Sequence, residues 1–442
     1  MLLILRDASL ESTHDTFVIF VAFVLVALIS KQIGHLFSKI KLPLVTGFLF
    51  TGILAGPSVM GLIPQNATEG LRFVDEISLA FIAFAAGSEL HMKKLRHRFK
   101  SITWVIIAQV LVIFPLGSLT IFMLSDFIPF MLPMSTGSRL AVSLLAGAIL
   151  VARSPSSAIA VVNELRSKGP FTQTVLGVTV ITDIVVIVLF GLNASIADAL
   201  LLDLDFNIGF VILIAGELLA SLGIGYGLGK ILQYLIAKHL NRSIKTGCIL
   251  FLGYAVFISS SFIRHTSHDL LNVEILLEPL LICMIAGFLP ANYSKYRHEF
   301  LTIFYKAGPP IYTAFFTLTG ASLVLGPLAK TWPIALALFA VRLFSIYLGS
   351  FTGGALAGDA MKYNKISWMS YITQAGIGLA LAKEVAGSFP AWGPEFASIM
   401  TSVIILNQIV GPPLFKWAIK LSGEAHPEAL SPQFAGKIPP TL

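Results

Sequence analysis

Apolar residues are arranged in runs of about twenty that recur along the whole chain, and the segments between them are short and polar. An α-helix needs about 20 apolar residues to cross the hydrocarbon core of a bilayer, so each run predicts one transmembrane helix. The seventh run is rich in glycine and long enough for a broken or tilted helix. We place thirteen spans near residues 16–34, 42–63, 71–91, 101–124, 140–164, 172–199, 207–237, 245–263, 271–291, 308–326, 332–357, 366–387 and 396–420.

Helix-breaking residues interrupt two of these spans. The fifth span contains Pro155, and the twelfth contains Gly376 and Gly378. Proline removes a backbone donor and glycine loosens a helical turn. In hydrocarbon, irregular backbone survives only where it is buried in protein or lines a cavity. Read as six spans, a linker and six more, the chain predicts an all-α membrane protein with inverted six-helix repeats and two crossed broken helices near mid-membrane.

The composition and the charge pattern agree with this class. Of 442 residues, 56% are hydrophobic and only 12% are charged, which leaves too little polar surface for a water-soluble protein. Of the 30 Lys and Arg residues, 22 fall on one predicted side, six on the other and two, Arg153 and Arg342, inside spans. Because basic loops stay cytoplasmic, we predict a multi-pass protein with its N-terminus outside and its C-terminus in the cytoplasm. The plasma or inner membrane and an organelle membrane remain open as locations.

The same charge pattern limits the functional classes. The net charge of +7 follows from the orientation of the loops, so a nucleic-acid partner is not needed. No metal triad or nucleophile constellation occurs in the spans, so neither an enzyme nor a cofactor is expected. The expected partners are membrane lipid and small ions.

Asp183 is a lone carboxylate in the apolar stretch 177–192. A charged side chain at mid-bilayer costs roughly 2.5–3.5 kcal/mol on insertion scales, so a retained one indicates proton or ion movement. Hard cations prefer oxygen ligands, and we predict a Na⁺ or K⁺ site at Asp183. The other candidate ligands are the hydroxyl groups of Thr182, Thr179, Ser154 and Ser157.

Several motifs, in their order along the chain, resemble the monovalent cation:proton antiporter superfamily of sodium/proton and potassium/proton exchangers. The resemblance covers nearly the whole chain and rests on the segments 47–63, 77–90, 151–165, 175–190, 277–292, 314–323 and 335–348. Two of these, VARSPSSAIAVVNEL and VLGVTVITDIVVIVLF, are similar to the family's broken helix and the ion-site helix that follows it.

The resemblance implies an architecture of one transporter unit over residues 1–442. It implies core helices at about 71–199 and 297–390, which move as an elevator, and dimerisation or scaffold helices at about 16–63, 207–291 and 396–420. A homodimer is therefore expected.

Matched residue by residue, Asp183 takes the place of the family's ion- and proton-binding aspartate. Thr182 lies where other members carry a second Asp, an Asn or a Gln, and Arg342 lies where members carry Lys or Arg. One acid with Arg goes with electroneutral exchange in this family. We expect Arg342 to shield the half-helix ends and Gln374 to hydrogen-bond at the crossing of the broken helices.

The chain departs from the family pattern at two positions. Arg153 lies about where many members have a hydroxyl residue, and Ala85 lies where some have a Glu. Arg153 has several possible roles: it neutralises Asp183 when no cation is bound, tunes selectivity, favours an anion, or caps the carbonyls of the broken helix.

A carboxylate that titrates near neutral pH binds a proton or a metal cation but not both well, and this competition alone gives exchange. We therefore predict a secondary antiporter that exchanges Na⁺ or K⁺ for H⁺. Two alternative functions stay open. One alternative is a proton-coupled anion or organic-solute carrier that uses Arg153 and Arg342. Another is a gated ion channel or a non-transporting sensor.

Overall fold

The computed structural model describes residues 2–64, 70–90, 92–202, 208–271, 275, 277–323, 325–374 and 376–426, and all regular structure within them is helical. We number the α-helices in chain order. They are α1 Leu2–Lys39, α2 Leu44–Ala55, α3 Arg72–Glu89, α4 Met92–Met123, α5 Thr136–Val151, α6 Pro155–Glu164, α7 Pro170–Leu202, α8 Ile208–Ala237, α9 Arg242–Leu271, α10 Pro279–Tyr293, α11 Arg297–Ala321, α12 Leu325–Ala357, α13 Met361–Ile366, α14 Gly376–Ser388 and α15 Gly393–Ser422. Short 3₁₀ turns occupy Ser125–Phe127, Pro129–Met131 and Ser367–Ser370.

Each of the thirteen predicted spans overlaps at least one of these helices. Parts of five spans, at residues 91, 207, 272–274 with 276, 324 and 375, lie outside the described residues. Eight segments of the described chain are long and apolar enough to cross a membrane: Ile19–Lys39, Arg96–Met123, Thr136–Glu164, Pro170–Ala194, Gly216–Ala237, Arg242–Arg264, Leu325–Ala357 and Gly393–Ser422. Two shorter helices, Leu44–Ala55 and Pro279–Tyr293, are also apolar. The prediction of an all-α membrane protein is confirmed, while the number thirteen and the inverted repeats stay predictions.

The helices pack in two groups. In the first group, α12 lies along α4, α4 and α7 pack on α5, and α15 packs on both α12 and α14. In the second group, α10 lies between α3 and α8, α9 packs on α3, and α2 lies between α1 and α11. The largest apolar core lies mainly in the first group, which also contains both broken helices and Asp183.

Helices α2 and α11 approach closely at Gly52. A side chain at this position would collide with the backbone of α11 at Gly320 and Ala321. Small residues of this kind let membrane helices pack backbone against backbone. This contact fixes α2 against α11 within the second group.

Replacing Gly52 by Leu is therefore expected to destabilise the protein by about 1–3 kcal/mol, the cost of inserting atoms into a close-packed site. Thermal unfolding of the purified protein in detergent measures this as a lower transition temperature. Gly223→Leu is the matched control, because nothing lies within 4 Å of a Cβ atom at that position. Equal transition temperatures for the two variants would contradict the close approach.

Candidate functional site

The first helix break lies between α5 and α6. The backbone is extended at Ala152, with φ −56° and ψ 150°, and at Ser154, with φ −121° and ψ 96°. Pro155 then begins α6 at a position where a missing N–H costs nothing, because the first helical donors have no intrahelical partner. The Ser154 hydroxyl accepts a hydrogen bond from the Ser157 N–H at 3.3 Å and so caps the new helix. The fifth predicted span is thus two helices joined by three non-helical residues, 152–154.

The second break lies between the 3₁₀ turn Ser367–Ser370 and α14. The two breaks meet directly, because the Ser154 N–H donates to the Thr373 carbonyl at 3.0 Å. A backbone donor in the first break therefore satisfies a backbone acceptor in the second. The structure places the two interrupted helices in contact at their interruptions.

Arg342, on α12, holds the crossing together with its guanidinium group, which is buried. Its Nε donates to the Leu150 carbonyl at 2.8 Å, and its Nη2 donates to the Ala152 carbonyl at 2.9 Å. Its Nη1 donates to the Ile372 carbonyl, in the other break, at 2.7 Å. The last carbonyls of a helix have no intrahelical donor. The Arg342 side chain supplies donors to carbonyls at both breaks and so stabilises both broken helices. This is the geometry that a shielding role requires.

A chain of two amides extends the Arg342 network. The Asn407 Oδ1 accepts from Arg342 Nη1 at 2.8 Å, and the Asn407 Nδ2 donates to Gln374 Oε1 at 3.1 Å. The Gln374 Nε2 in turn donates to the Ile149 carbonyl at 2.7 Å. Gln374 thus bridges the second break to the first. The sequence analysis did not predict a role for Asn407. The polar Asn-Gln pair in the otherwise apolar span 396–420 is the sequence feature that could have indicated it.

Asp183 lies on α7 and is only 9% exposed as a residue, and its Oδ1 has no hydrogen-bond partner among the described residues. It is within electrostatic reach of Arg153, in the first break, and of Glu278, the residue before α10. A buried carboxylate oxygen without a partner is costly. The arrangement is therefore suited to bind a proton or a cation.

Arg153 is also buried, with 1% exposure, and none of its three guanidinium nitrogens has a hydrogen-bond partner among the described residues. The centre of its guanidinium lies 4.7 Å from the ring centroid of Tyr371, a cation–π contact between the two breaks. One role considered for Arg153, capping of the carbonyls of the broken helix, is wrong. Arg342 makes those hydrogen bonds, so Arg153 remains a buried charge near Asp183.

Three of the four candidate hydroxyl ligands donate their protons to nearby groups, and the fourth, Ser157, accepts one of these bonds. Thr179 and Thr182 each donate to the carbonyl four residues earlier, at 2.8 Å and 2.6 Å. Ser154 donates to the Ser157 hydroxyl at 3.0 Å. A hydroxyl that donates its proton keeps lone pairs on its oxygen. These bonds orient the oxygens and leave them able to act as cation ligands.

Comparison with solved structures shows the same fold. The sodium proton antiporter MjNhaP1 from Methanocaldococcus jannaschii superposes with a TM-score of 0.70 at 17% sequence identity, over 92% of this chain and 99% of that one.

Two proteins with similar sequences are named as antiporters of monovalent cations and protons. The Na⁺/H⁺-K⁺ antiporter GerN of Bacillus cereus is 23% identical over 417 residues, which cover 92% of this chain and 98% of GerN. The K⁺/H⁺ antiporter subunit KhtU of Bacillus subtilis is 26% identical over 421 residues, which cover 90% of this chain and 92% of KhtU. Residues 21–421 match the family model described as "Sodium/hydrogen exchanger, transmembrane".

Proposed function

Because this chain belongs to the transmembrane sodium/hydrogen exchanger family, a family of transporters, we propose that it is a secondary antiporter that exchanges Na⁺ or K⁺ for H⁺ at Asp183. The observation that carries the proposal is the buried Asp183 carboxylate, whose Oδ1 has no partner among the described residues. The names of GerN and KhtU, which both include K⁺ and H⁺, support the choice of ions.

Exchange follows from competition for one carboxylate. A proton and a monovalent cation both neutralise Asp183, and each excludes the other. A bare carboxylate is expensive to carry through the hydrocarbon region, so the protein changes sides only when one of the two is bound. One cation then crosses for each proton, and no net charge moves. The guanidinium of Arg342 stays protonated, and all three of its nitrogens donate hydrogen bonds at the crossing, so it adds no second exchangeable proton.

The packing supports an elevator mechanism in which the first helix group carries the site past the second. In this proposal α4–α7 and α12–α15 move, while α1–α3 and α8–α11 form the scaffold and the homodimer contact. The boundaries between the moving helices and the scaffold helices differ from those that the family resemblance implies. Helices α3 and α11 pack in the second group, with α10 and α2, whereas α15 packs on α12 and α14 in the first.

Arg153 is proposed as the counter-charge of Asp183. Its guanidinium rests on Tyr371, within electrostatic reach of the carboxylate but without a hydrogen bond to it. A nearby positive charge favours the ionised form of a carboxylate. Arg153 therefore makes protonation of the site harder and sets the pH at which cation and proton exchange places.

Arg153→Gln is accordingly expected to raise the pH at which exchange is half-maximal, because the protonated form of the site is no longer disfavoured by the guanidinium. The pH profile of cation-driven proton flux in proteoliposomes measures this shift. Arg153→Lys is the matched control, since it keeps the charge and the wild-type profile. A profile that does not move in Arg153→Gln would assign Arg153 a purely structural role.

The function itself is tested with purified protein in proteoliposomes that hold a pH gradient. Separate additions of Na⁺, K⁺, Li⁺ and Rb⁺ are expected to dissipate the gradient in a cation-dependent way, and a clamped membrane voltage is expected to leave the rate unchanged. A response to the added anion would instead identify a proton-coupled anion carrier. Flux that follows voltage without proton coupling would identify a channel.

A further inference from the structure

Arg153 and Tyr371 contact each other across the two helix breaks. Arg153 lies in the first break, Tyr371 follows the 3₁₀ turn that leads into the second, and each residue is only 1% exposed. The centre of the Arg153 guanidinium lies 4.7 Å from the centroid of the Tyr371 ring. The backbone next to both residues is held, because the Ser154 N–H donates to the Thr373 carbonyl at 3.0 Å. The ring is therefore fixed against the guanidinium group.

Two buried groups of opposite charge stay unpaired beside this contact. None of the three guanidinium nitrogens of Arg153 has a hydrogen-bond partner among the described residues, and neither has the Asp183 Oδ1, although the two side chains are within electrostatic reach of each other. A guanidinium and a carboxylate form strong charge-assisted hydrogen bonds when they meet. Glu278, the other acidic residue near Asp183, also attracts the guanidinium. The separation therefore requires a contact that holds the guanidinium away from the carboxylate.

The other charged groups near the pair do not supply that contact. Arg342 carries the same charge as Arg153 and donates its hydrogen bonds to carbonyl groups. Asp359 is within electrostatic reach of Tyr371, but it is paired with Arg98 at 2.7 Å. The attractive contact that the described residues offer the guanidinium in its present position is the face of the Tyr371 ring, which draws a desolvated cation.

We propose that Tyr371 is a positioning residue for the exchange: its ring holds the Arg153 guanidinium near Asp183 and keeps the two from forming an ion pair. The carboxylate then lies in the field of a positive charge and still has an oxygen free for a proton or a cation. In a direct ion pair, the cation would first have to displace the guanidinium. This inference rests on the proposed exchange at Asp183 and adds the residue that keeps the carboxylate available.

Tyr371→Leu tests this role in proteoliposomes at alkaline pH, where protons compete least. Loss of the ring frees Arg153 to pair with Asp183, so the KM for Na⁺ or K⁺, whichever the wild-type protein exchanges, is expected to rise about tenfold, the order of effect of a lost buried cation–π contact. The maximal rate is expected to change much less, because a saturating cation displaces the guanidinium. Tyr371→Phe keeps the ring and is expected to keep the wild-type KM. Tyr371→Met, whose side chain fills irregular space without a ring, takes the place of the leucine variant if that variant does not fold.

The double variant of Tyr371→Leu and Arg153→Gln separates positioning from a purely structural role. It has no guanidinium to pair with Asp183, so its KM is expected to match that of Arg153→Gln alone. Tyr363→Leu is the matched control, because the Tyr363 ring also contacts a cation, the Lys362 Nζ at 4.7 Å, but not Arg153. Its KM is expected to equal that of the wild-type protein.

Two results would overturn the role of Tyr371 while the proposed exchange stands. One is a wild-type KM in Tyr371→Leu. The other is a raised KM that persists in the double variant, which would make Tyr371 a structural residue. An absence of cation-driven proton flux in the wild-type protein would instead contradict the exchange itself, and the role of Tyr371 with it.

Discussion

Asp183→Asn is expected to abolish cation-driven proton flux in proteoliposomes while the protein stays folded. Asparagine has nearly the shape of aspartate, and the Asp183 Oδ1 makes no hydrogen bond among the described residues that the substitution would break. The amide cannot take up a proton at physiological pH and carries no charge to attract a cation. Flux is therefore expected to fall to the level of protein-free liposomes. Size-exclusion chromatography and thermal unfolding check that the variant is intact.

Asp126→Asn is the matched control for this substitution. Asp126 pairs with Arg139 at 2.6 Å, and its side chain is 71% exposed. Exposed ion pairs contribute about 0–1 kcal/mol, so this variant is expected to keep both its stability and its exchange activity. Full exchange in Asp183→Asn would end the proposal that this carboxylate carries the ions.

Arg342→Ala is expected to destabilise the folded protein by about 3–5 kcal/mol, because a buried acceptor left without its donor costs about 1–3 kcal/mol and this substitution leaves several. The substitution leaves the carbonyls of Leu150, Ala152 and Ile372 without the donor that now satisfies them, and it frees the Asn407 Oδ1. Because the site is buried, water cannot readily replace these bonds. Thermal unfolding in detergent is the measurement.

Two further variants make the result for Arg342 specific. Arg342→Lys keeps the charge but cannot reach three carbonyls with a single ammonium group, so an intermediate loss is expected. Arg139→Ala removes a comparable fork, bonded to the Met131, Leu132 and Met134 carbonyls. Those groups lie nearer the surface, where water can replace the donor, so the loss is expected to be smaller. A transition temperature for Arg342→Ala that equals the wild-type value would contradict the claim that Arg342 stabilises the two helix breaks.

The helical class, the breaks and the burial of Asp183 within the membrane helices were predictable from the sequence because each leaves a local signal. A run of twenty apolar residues, a proline inside such a run and a carboxylate in hydrocarbon each have few physical interpretations. The break at Pro155 and the non-helical residues before Gly376 lie where those residues predicted them.

The partners of Arg342 and the position of Arg153 were not predictable in the same way. Both are arginines in or beside an interrupted helix, and only the packing decides which guanidinium reaches the free carbonyls. Arg342 reaches them from α12, while the Arg153 side chain turns toward Tyr371. Asn407 entered the network from a helix that the family resemblance assigned to the scaffold. Sequence spacing carries no information about such contacts between distant helices.

The most direct measurement of the central claim is the number of protons released when the purified protein binds its cation. Isothermal titration in buffers of different ionisation enthalpy gives this number, because a cation that displaces a proton from a ligand releases it to the buffer. We expect the wild-type protein to release about one proton for each cation bound at a pH well below that of half-maximal exchange, where Asp183 carries a proton before the cation binds. At the pH of half-maximal exchange itself, where half of the sites are protonated, about half a proton is expected for each cation. Asp183→Asn is expected to bind no cation. Cation binding without proton release, or binding that survives in Asp183→Asn, would contradict the account.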